Sequence, residues 1–388
     1  MPGVVGIICE YNPFHKGHKY QIDMIRKDMP DATIIAIMSG NIVQRGEFAI
    51  INKYERAKIA LECGVNAVVE MPYPYSGSTA EVFANAGVEI AGKLGCQYLY
   101  FGTEELEIEE LEKTARIIDS KEFEIALENS KNDRDVSFIK AKSLALKKMG
   151  YNLPTSPNDM LALEYVRAIL KKNLNIEYRG IARVGARYND IGANDIMSAS
   201  AIRRCYYERG FFESIPDCVS KHYEKIAKDG FCIDKSVQER VLHSFCLTLL
   251  DLKSKYFDTS IEMLSLIKDI ALRSNGSCEF ISSLSSKAFT TSRLKRAILY
   301  ALFNVSSLDF EPKFTILLGM DEKGRGQISS VKRNSDFTVI TKHSDAKRLD
   351  DVSSLYLAKN YMVDELHNAL LKSPISADTA YKATPIIK

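Results

Sequence analysis

The first hundred residues alternate between two periods, and this alternation constrains the fold more than any other feature of the chain. Short apolar runs at Val4 to Cys9, Thr33 to Met38, Ala67 to Met71 and Tyr98 to Phe101 have the length and content of buried strands. Between them, Gly17 to Lys27, Lys53 to Cys63 (stopped by Gly64) and Thr79 to Leu94 (ending at Gly95) read as amphipathic helices. Strands alternating with helices imply a mostly parallel, open α/β sheet with right-handed crossovers. Ligands of such sheets collect beyond the carboxyl ends of the strands. His15, Ser39-Gly40, Glu70 and Gly102-Thr103 each follow a strand and are expected around one crevice.

The rest of the chain changes character twice. Glu104 to about Lys148 is charged and helical, Tyr151 to Asn158 is a Pro-broken loop, and Asn158 to Lys171 is an apolar-faced helix. A short strand at Ile176 to Tyr178 leads to a polar loop holding Arg183, Arg187, Tyr188, Asn189 and Asp190, after which Ser198 is placed as a helix cap. Residues from about 211 to 309 read as wholly helical. The last eighty mix a strand (Phe314 to Leu318), a Gly-rich turn (Gly319 to Gly326), a second strand (Phe337 to Thr341) and a closing helix from Leu355 to Leu371. Three regions are therefore expected: an α/β domain over 1–209, a helical domain over 210–309 and a small α/β region over 310–388. With 388 residues, 46% of them hydrophobic, the chain can bury a core of that extent.

Composition excludes several classes. The eight cysteines are scattered singly, with no C-x-x-C pair, which argues against a disulfide framework or structural zinc site and fits a reducing cytoplasm. No apolar run reaches membrane-spanning length, and the opening stretch lacks the basic start of a signal peptide. The net charge of +2 means that a nucleic acid would have to be gripped by a local patch.

The chemistry concentrates after the first strand. His15-Lys16-Gly17-His18 is an H-x-G-H box at a strand-to-helix turn. Attack on the α-phosphate of a nucleoside triphosphate builds negative charge on oxygen, to which imidazole N–H groups can donate. The glycine leaves room for phosphates, and the following helix turns its positive end towards them. Two histidines in a surface loop are the alternative, and their position argues against it. A second motif, Ser198-Ala199-Ser200-Ala201-Ile202-Arg203, offers hydroxyls at a helix start and an arginine that can cap a polyphosphate bidentately. Alone it is a weak signal; following H-x-G-H, it points to a triphosphate site.

Together these segments make the resemblance specific. Glu10-Tyr11-Asn12-Pro13-Phe14-His15-Lys16-Gly17-His18, Met38-Ser39-Gly40-Asn41 with Gln44-Arg45-Gly46-Glu47, Tyr100-Phe101-Gly102-Thr103-Glu104-Glu105, Pro157-Asn158, the 183–190 loop and Ser198 to Arg203 follow the order of the bacterial tRNA(Met) cytidine acetate ligase family, within the H-x-G-H nucleotidyltransferase superfamily. The likeness thins through the helical region, where Ser292 to Arg296 still resembles the family, and returns at Leu318 to Arg325. Departures are Lys16 for a small polar residue, Tyr54 for Trp, and Asp159 for Asn, the last bearing on contacts near ribose or acetate.

The resemblance implies an ATP-dependent ligase that forms acetyl-adenylate from ATP and acetate, releasing pyrophosphate. The wobble cytidine of elongator tRNA(Met) then takes the acetyl group to give N4-acetylcytidine. Activation is physically required, since free acetate is a poor electrophile and a ring amine a weak nucleophile. On this reading His15 and His18 are catalytic, stabilising charge on the α- and β-phosphates. Ile7, Ile8, Cys9, Glu10, Tyr11, Asn12, Pro13, Phe14, Lys16, Gly17, Lys19 and Tyr20 wrap the ATP, and Gly102 lets adenosine lie against the backbone. By resemblance Asn158 and Arg183 contact nucleotide or acetyl-adenylate, while Ser198, Ser200 and Arg203 take the leaving pyrophosphate. Magnesium is expected to arrive with the ATP rather than in a protein cage.

Glu10, Glu47 and Glu70 read as structural partners of nearby basic loops rather than bases or metal ligands. For RNA, Lys287, Arg293, Lys295 and Arg296 form the best local patch; Arg293 and Arg296, three apart, can share a helix face. Lys323, Arg325, Lys332 and Arg333 add a second cluster, in the region expected to touch tRNA. Recognition of one base would require a splayed, stacked cytidine beside the ATP crevice. The alternative function is a nucleotidyltransferase acting on a small coenzyme precursor, with the same site and no tRNA. The sequence leaves the oligomeric state open.

Overall fold

A computed structural model describes residues 3–104, 107–131, 138–182, 196–249, 255–309, 311–376 and 379–388. The early alternation becomes β1 (Val4–Cys9), α1 (Lys16–Asp28), β2 (Thr33–Ser39), α2 (Lys53–Glu62), β5 (Ala67–Met71), α3 (Ala80–Lys93) and β6 (Tyr98–Thr103). Between β2 and α2 a hairpin of β3 (Ile42–Val43) and β4 (Glu47–Phe48) turns at Gly46, whose φ of +75° favours glycine. The charged stretch folds as α4 (Ile108–Ile118), α5 (Lys121–Lys131) and α6 (Phe138–Lys148), followed by α7 (Pro157–Lys171) and β7 (Glu177–Ala182).

Strands β5, β2, β1, β6 and β7 lie side by side in that order, all parallel. From β1 the chain winds one way through β2 and β5, then returns to place β6 on the other side. The β1/β6 junction is therefore the topological switch point, where crossover helices leave opposite faces and a crevice opens.

Beyond this unit come α8 (Ala199–Arg209), α9 (Ser220–Lys228), α10 (Lys235–Thr248), α11 (Ile261–Arg273), α12 (Ser277–Ser282) and α13 (Thr291–Leu302), as the helical reading of this stretch expects. Helices α10 to α13 enclose a second apolar core around Met263, Phe280, Leu294 and Tyr300, which also takes Ile42, Phe48 and Tyr73 from the sheet unit, whereas α8 and α9 pack onto the first core through Ile202, Tyr206, Tyr223 and Ile226.

The last region does not stand apart. Its β8 (Phe314–Met320) runs antiparallel against β5, and its outer edge takes β9 (Thr338–Ile340) and β10 (Ile386–Ile387). Phe314, Leu317 and Leu318 enter the same core as β1 and β2. The expected Gly-rich turn is corrected: β8 continues to Met320 and α14 (Glu322–Asn334) starts at once, capped by Asp321, whose Oδ1 accepts from Gly324 N–H at 2.9 Å. Gly324 serves close packing, since a Cβ there would lie 2.1 Å from the Asn66 carbonyl oxygen. The chain closes with α15 (Asp351–Ala369) and α16 (Thr379–Lys382). Among the described residues no helix is long and apolar enough to cross a membrane.

Candidate functional site: a crevice at the β1/β6 junction

The β1–α1 loop is built on an aromatic floor. Tyr11, in the left-handed region at φ +48°, and Phe14 are fully buried and meet edge to face at 4.8 Å. The Tyr11 ring also meets His18 edge-on at 4.9 Å, and the Tyr223 hydroxyl donates to the Phe14 carbonyl at 2.9 Å. On this floor His15 caps α1. Its Nδ1 accepts from Gly17 N–H at 3.0 Å, while His18 Nδ1 accepts from His15 N–H at 3.2 Å, a reciprocal capping box made of two imidazoles. The rings stack with centroids 3.8 Å apart. A ring nitrogen that accepts an N–H bears no proton, so each neutral imidazole carries its hydrogen on Nε2. The cap thus orients two donors of the kind that anionic oxygen needs.

This arrangement revises the expected role of the helix start. Lys16 N–H donates to the Ser214 carbonyl at 3.0 Å and Gly17 N–H to His15, so the first amides of α1 are engaged within the protein. The imidazoles and the helix dipole remain as the attraction for phosphate. Gly17 is required by His15 itself, because a Cβ would lie 2.9 Å from its Cε1 and 3.0 Å from its Nδ1.

The opposite wall is the start of α8. Ser198 caps it, accepting from Ala201 N–H at 3.3 Å, and its hydroxyl lies 3.1 Å from that of Ser200. One terminal nitrogen of Arg203 donates to the Asn12 carbonyl at 2.7 Å, tying this wall to the H-x-G-H loop across 191 residues. Ser214 clips both walls together, its carbonyl taking Lys16 N–H and its hydroxyl taking Met197 N–H at 3.1 Å. His15, Gly17 and His18 therefore face Ser198, Ser200 and Arg203 across one crevice of about 630 Å³, in the size range of ligand sites.

Other residues expected at the nucleotide divide into two groups. Ile8, Cys9, Glu10, Tyr20, Gly102 and Asn158 line the crevice. Ile7, Tyr11, Pro13 and Phe14 are buried beneath it, and Asn12 Oδ1 accepts from Ile50 N–H at 2.8 Å, so these shape the loop. Lys16 and Lys19 are not part of the lining, and Lys19 pairs with Asp23. Arg183 and the loop to Asp190 lie outside the described residues. Asp159 is fully buried and accepts from Glu104 N–H at 2.8 Å; it anchors the chain after β6 and does not line the crevice.

The expected convergence of strand ends holds for His15 after β1 and Gly102 on β6, leaves Thr103 outside the lining, and fails for β2 and β5. Ser39, Gly40 and Glu70 are occupied by buried cations of α2. Arg56, wholly buried, donates to the carbonyls of Glu10 (2.6 Å), Ser39 (3.1 Å), Gly40 and Ile51 (3.0 Å). Burial pulls its guanidinium down to about 10. Lys53 Nζ lies 2.7 Å from Glu70 Oε2 and 2.5 Å from Asp364 Oδ2, with Asn41 and Asn360 donating to the same carboxylates. Glu70 is thus the structural partner expected from the sequence.

Within the crevice, burial pushes the Cys9 thiol up, so it is no nucleophile, and raises Glu10, whose Oε1 accepts from Gln44 N–H at 2.9 Å. Burial also pushes Glu47 up, but Lys295 (2.6 Å) and Arg203 (3.6 Å) pull harder and hold it below the usual carboxylate range. Gln44, Arg45 and Glu47 all line the crevice, and the sequence alone assigns none of them a place in the site. Their signal in the sequence is the Gln44-Arg45-Gly46-Glu47 segment of the family resemblance, which folds as a charged Arg-Gly turn between two very short strands.

The expected RNA patch on α13 is also rearranged. Arg293 pairs with Asp258 at 2.7 Å and Lys295 with Glu47, while Arg296 is only 8% exposed and packs beneath the hairpin. A Cβ on Gly46 would lie 2.7 Å from the Arg296 backbone nitrogen. Arg293 and Arg296 do not share an exposed face, because the hairpin covers one of them.

Comparison with known proteins agrees with this geometry. The family model described as HIGH Nucleotidyl Transferase matches residues 3–384. A tRNA(Met) cytidine acetate ligase from Thermosipho africanus is 34% identical over 88% of this chain and 85% of its own. That of Fusobacterium nucleatum is 30% identical over 99% and 98%. Among solved structures, Thermotoga maritima TmcAL bound with alpha-thio ATP superposes with a TM-score of 0.89 at 27% identity, covering 99% of both chains. The chain belongs to the tRNA(Met) cytidine acetate ligase family of HIGH nucleotidyl transferases.

Proposed function

We propose that the chain joins acetate to ATP as acetyl-adenylate, releasing pyrophosphate, and passes the acetyl group to N4 of the wobble cytidine of elongator tRNA(Met). The observation that carries this reading is the single crevice shared by the two stacked histidines and the Ser198–Arg203 wall. ATP lies in it with the α-phosphate at His15 and His18, whose Nε2–H groups donate to oxygens that gain charge as acetate attacks. Donors fixed in advance of the reaction are worth about 10²–10³ in rate each. Arg203, Ser198 and Ser200 hold the leaving pyrophosphate, and Gly102 and Asn158 border the adenosine. The relatives' names and the ATP analogue bound to the Thermotoga protein support the substrates. A magnesium ion would be carried by the polyphosphate, with water completing its shell.

The test is incubation of the protein with labelled acetate, ATP and tRNA(Met). Acid-precipitable label that requires ATP and disappears in His18→Ala is the expected result. Unlabelled RNA with nucleotide incorporated into a small molecule would instead assign a coenzyme nucleotidyltransferase.

A further inference from the structure

A second, smaller cavity of about 130 Å³ opens beside the crevice, between the β3–β4 hairpin and helices α8, α10, α12 and α13. The two cavities share Glu47 and Arg203 as a common wall. We propose that this second cavity receives the acceptor cytosine, and that Glu47 takes the proton released by its exocyclic amine; this rests on the acetyl-transfer reading above.

Size, chemistry and position support the assignment. The cavity has room for a single six-membered ring. Leu242, Leu284 and Ile298 are buried apolar walls for its faces, and Tyr207 offers an aromatic ring for stacking. The polar edge is made by Gln238 and by Glu239, which is only 7% exposed. Cytosine presents an amine donor beside two acceptors, so a carboxylate can accept from N4–H while an amide donates to the ring. Uracil would set a carbonyl against that carboxylate. At the rim of the crevice, Arg45 is an exposed cation placed for a backbone phosphate, while Lys235 lies 3.8 Å from Glu239 and over the Tyr207 ring.

The transfer step balances without any further reactant. The N4 lone pair forms the N–C bond to the acetyl carbon, and the acyl C–O bond to phosphate breaks. AMP leaves with that electron pair, and the N4 proton passes to Glu47. Nitrogen becomes strongly acidic once it has attacked, so an ionised carboxylate suffices as acceptor. Lys295 and Arg203 keep Glu47 ionised and aimed at the shared wall.

Single-turnover acetyl transfer to tRNA(Met) from supplied acetyl-adenylate tests both parts. Ile281→Trp, at a half-buried lining position, fills the cavity, and Glu239→Leu removes its acceptor. Each should slow transfer by about a hundredfold and abolish the fluorine NMR shift of a 5-fluorocytidine placed at the acceptor position of the tRNA. Acetate-dependent pyrophosphate–ATP exchange, measured alongside, separates a lost pocket from an inactive or unfolded enzyme. Should Ile281→Trp fail to fold, Glu239→Leu decides. Glu47→Gln should slow transfer similarly and Glu47→Asp restore part of it. Wild-type transfer and a wild-type fluorine shift in Ile281→Trp or Glu239→Leu would overturn the pocket, and wild-type transfer in Glu47→Gln would overturn the proton acceptor. If the wild-type protein neither exchanges nor transfers, it is the functional reading that falls.

Discussion

Replacing Gly17 with alanine perturbs the site through one methyl group whose consequences can be worked out from distances. The new Cβ would stand 2.9 Å from His15 Cε1 and 3.0 Å from Nδ1, against an ordinary carbon contact of about 3.5–4.0 Å. The His15 ring must retreat by at least about half an ångström. It cannot do so alone, being 3% exposed and stacked on His18 at 3.8 Å. The Gly17 N–H···Nδ1 cap lengthens from 3.0 Å, at a cost of about 1 kcal/mol. Alanine in place of glycine in a helix returns about the same amount, so net stability should change by less than about 1 kcal/mol. Activity has no such offset, because displaced donors cost about a hundredfold. Acetate-dependent pyrophosphate–ATP exchange and a urea melt of the same sample make the comparison. An unchanged exchange rate would refute the argument, and so would a loss of activity matched by a loss of fold.

Three further outcomes follow from buried charges. Lys53→Met leaves Glu70 and Asp364 facing each other without their cation and should cost about 3–5 kcal/mol in denaturant unfolding, much of it recovered by adding Glu70→Gln and Asp364→Asn; a loss under about 1 kcal/mol would contradict the network. His367, wholly buried and donating through Nε2 to the Ala49 carbonyl at 2.8 Å, is pulled down to about 3 by burial. It folds neutral, so its stabilisation is intact above the unfolded value of about 6.5 and drains away as pH falls towards 3, by up to about 1.4 kcal/mol per pH unit. Unfolding of wild type and His367→Gln at pH 7.5 and pH 5 should show this extra slope in the wild type only; equal slopes would exclude it. Arg296→Ala should lower the melting temperature without altering the salt dependence of tRNA binding, whereas a slope reduced by about one would make Arg296 a phosphate contact after all.

Much of the fold is readable because it depends on short-range pattern. Short apolar runs and period-3.6 segments place β1, β2, β5 and β6 and the helices between them within a residue or two. Ser198 is recognisable as a cap from its position alone. The H-x-G-H box marks the crevice because strand, turn and helix start are contiguous in the chain. The reading weakens where packing overrides propensity. Gly319 to Gly326 looks like a turn, yet Gly324 within it permits α14 to approach the Asn66 backbone. The Ile7–Tyr20 stretch reads as nucleotide contact throughout, although burial assigns five of its fourteen residues to the floor of the loop.

The sequence by itself determined the parallel α/β unit, the loop that carries the two histidines and the chemistry those residues favour, since each depends on neighbours a few positions away. Tertiary structure alone decided that Arg203 closes onto Asn12, that Lys53 joins Glu70 to Asp364, that Lys295 meets Glu47, and that β8 enters the sheet antiparallel beside β5. These partners lie as many as 311 residues apart. Local periodicity carries no mark of a distant partner; only the burial of a shared core brings them together.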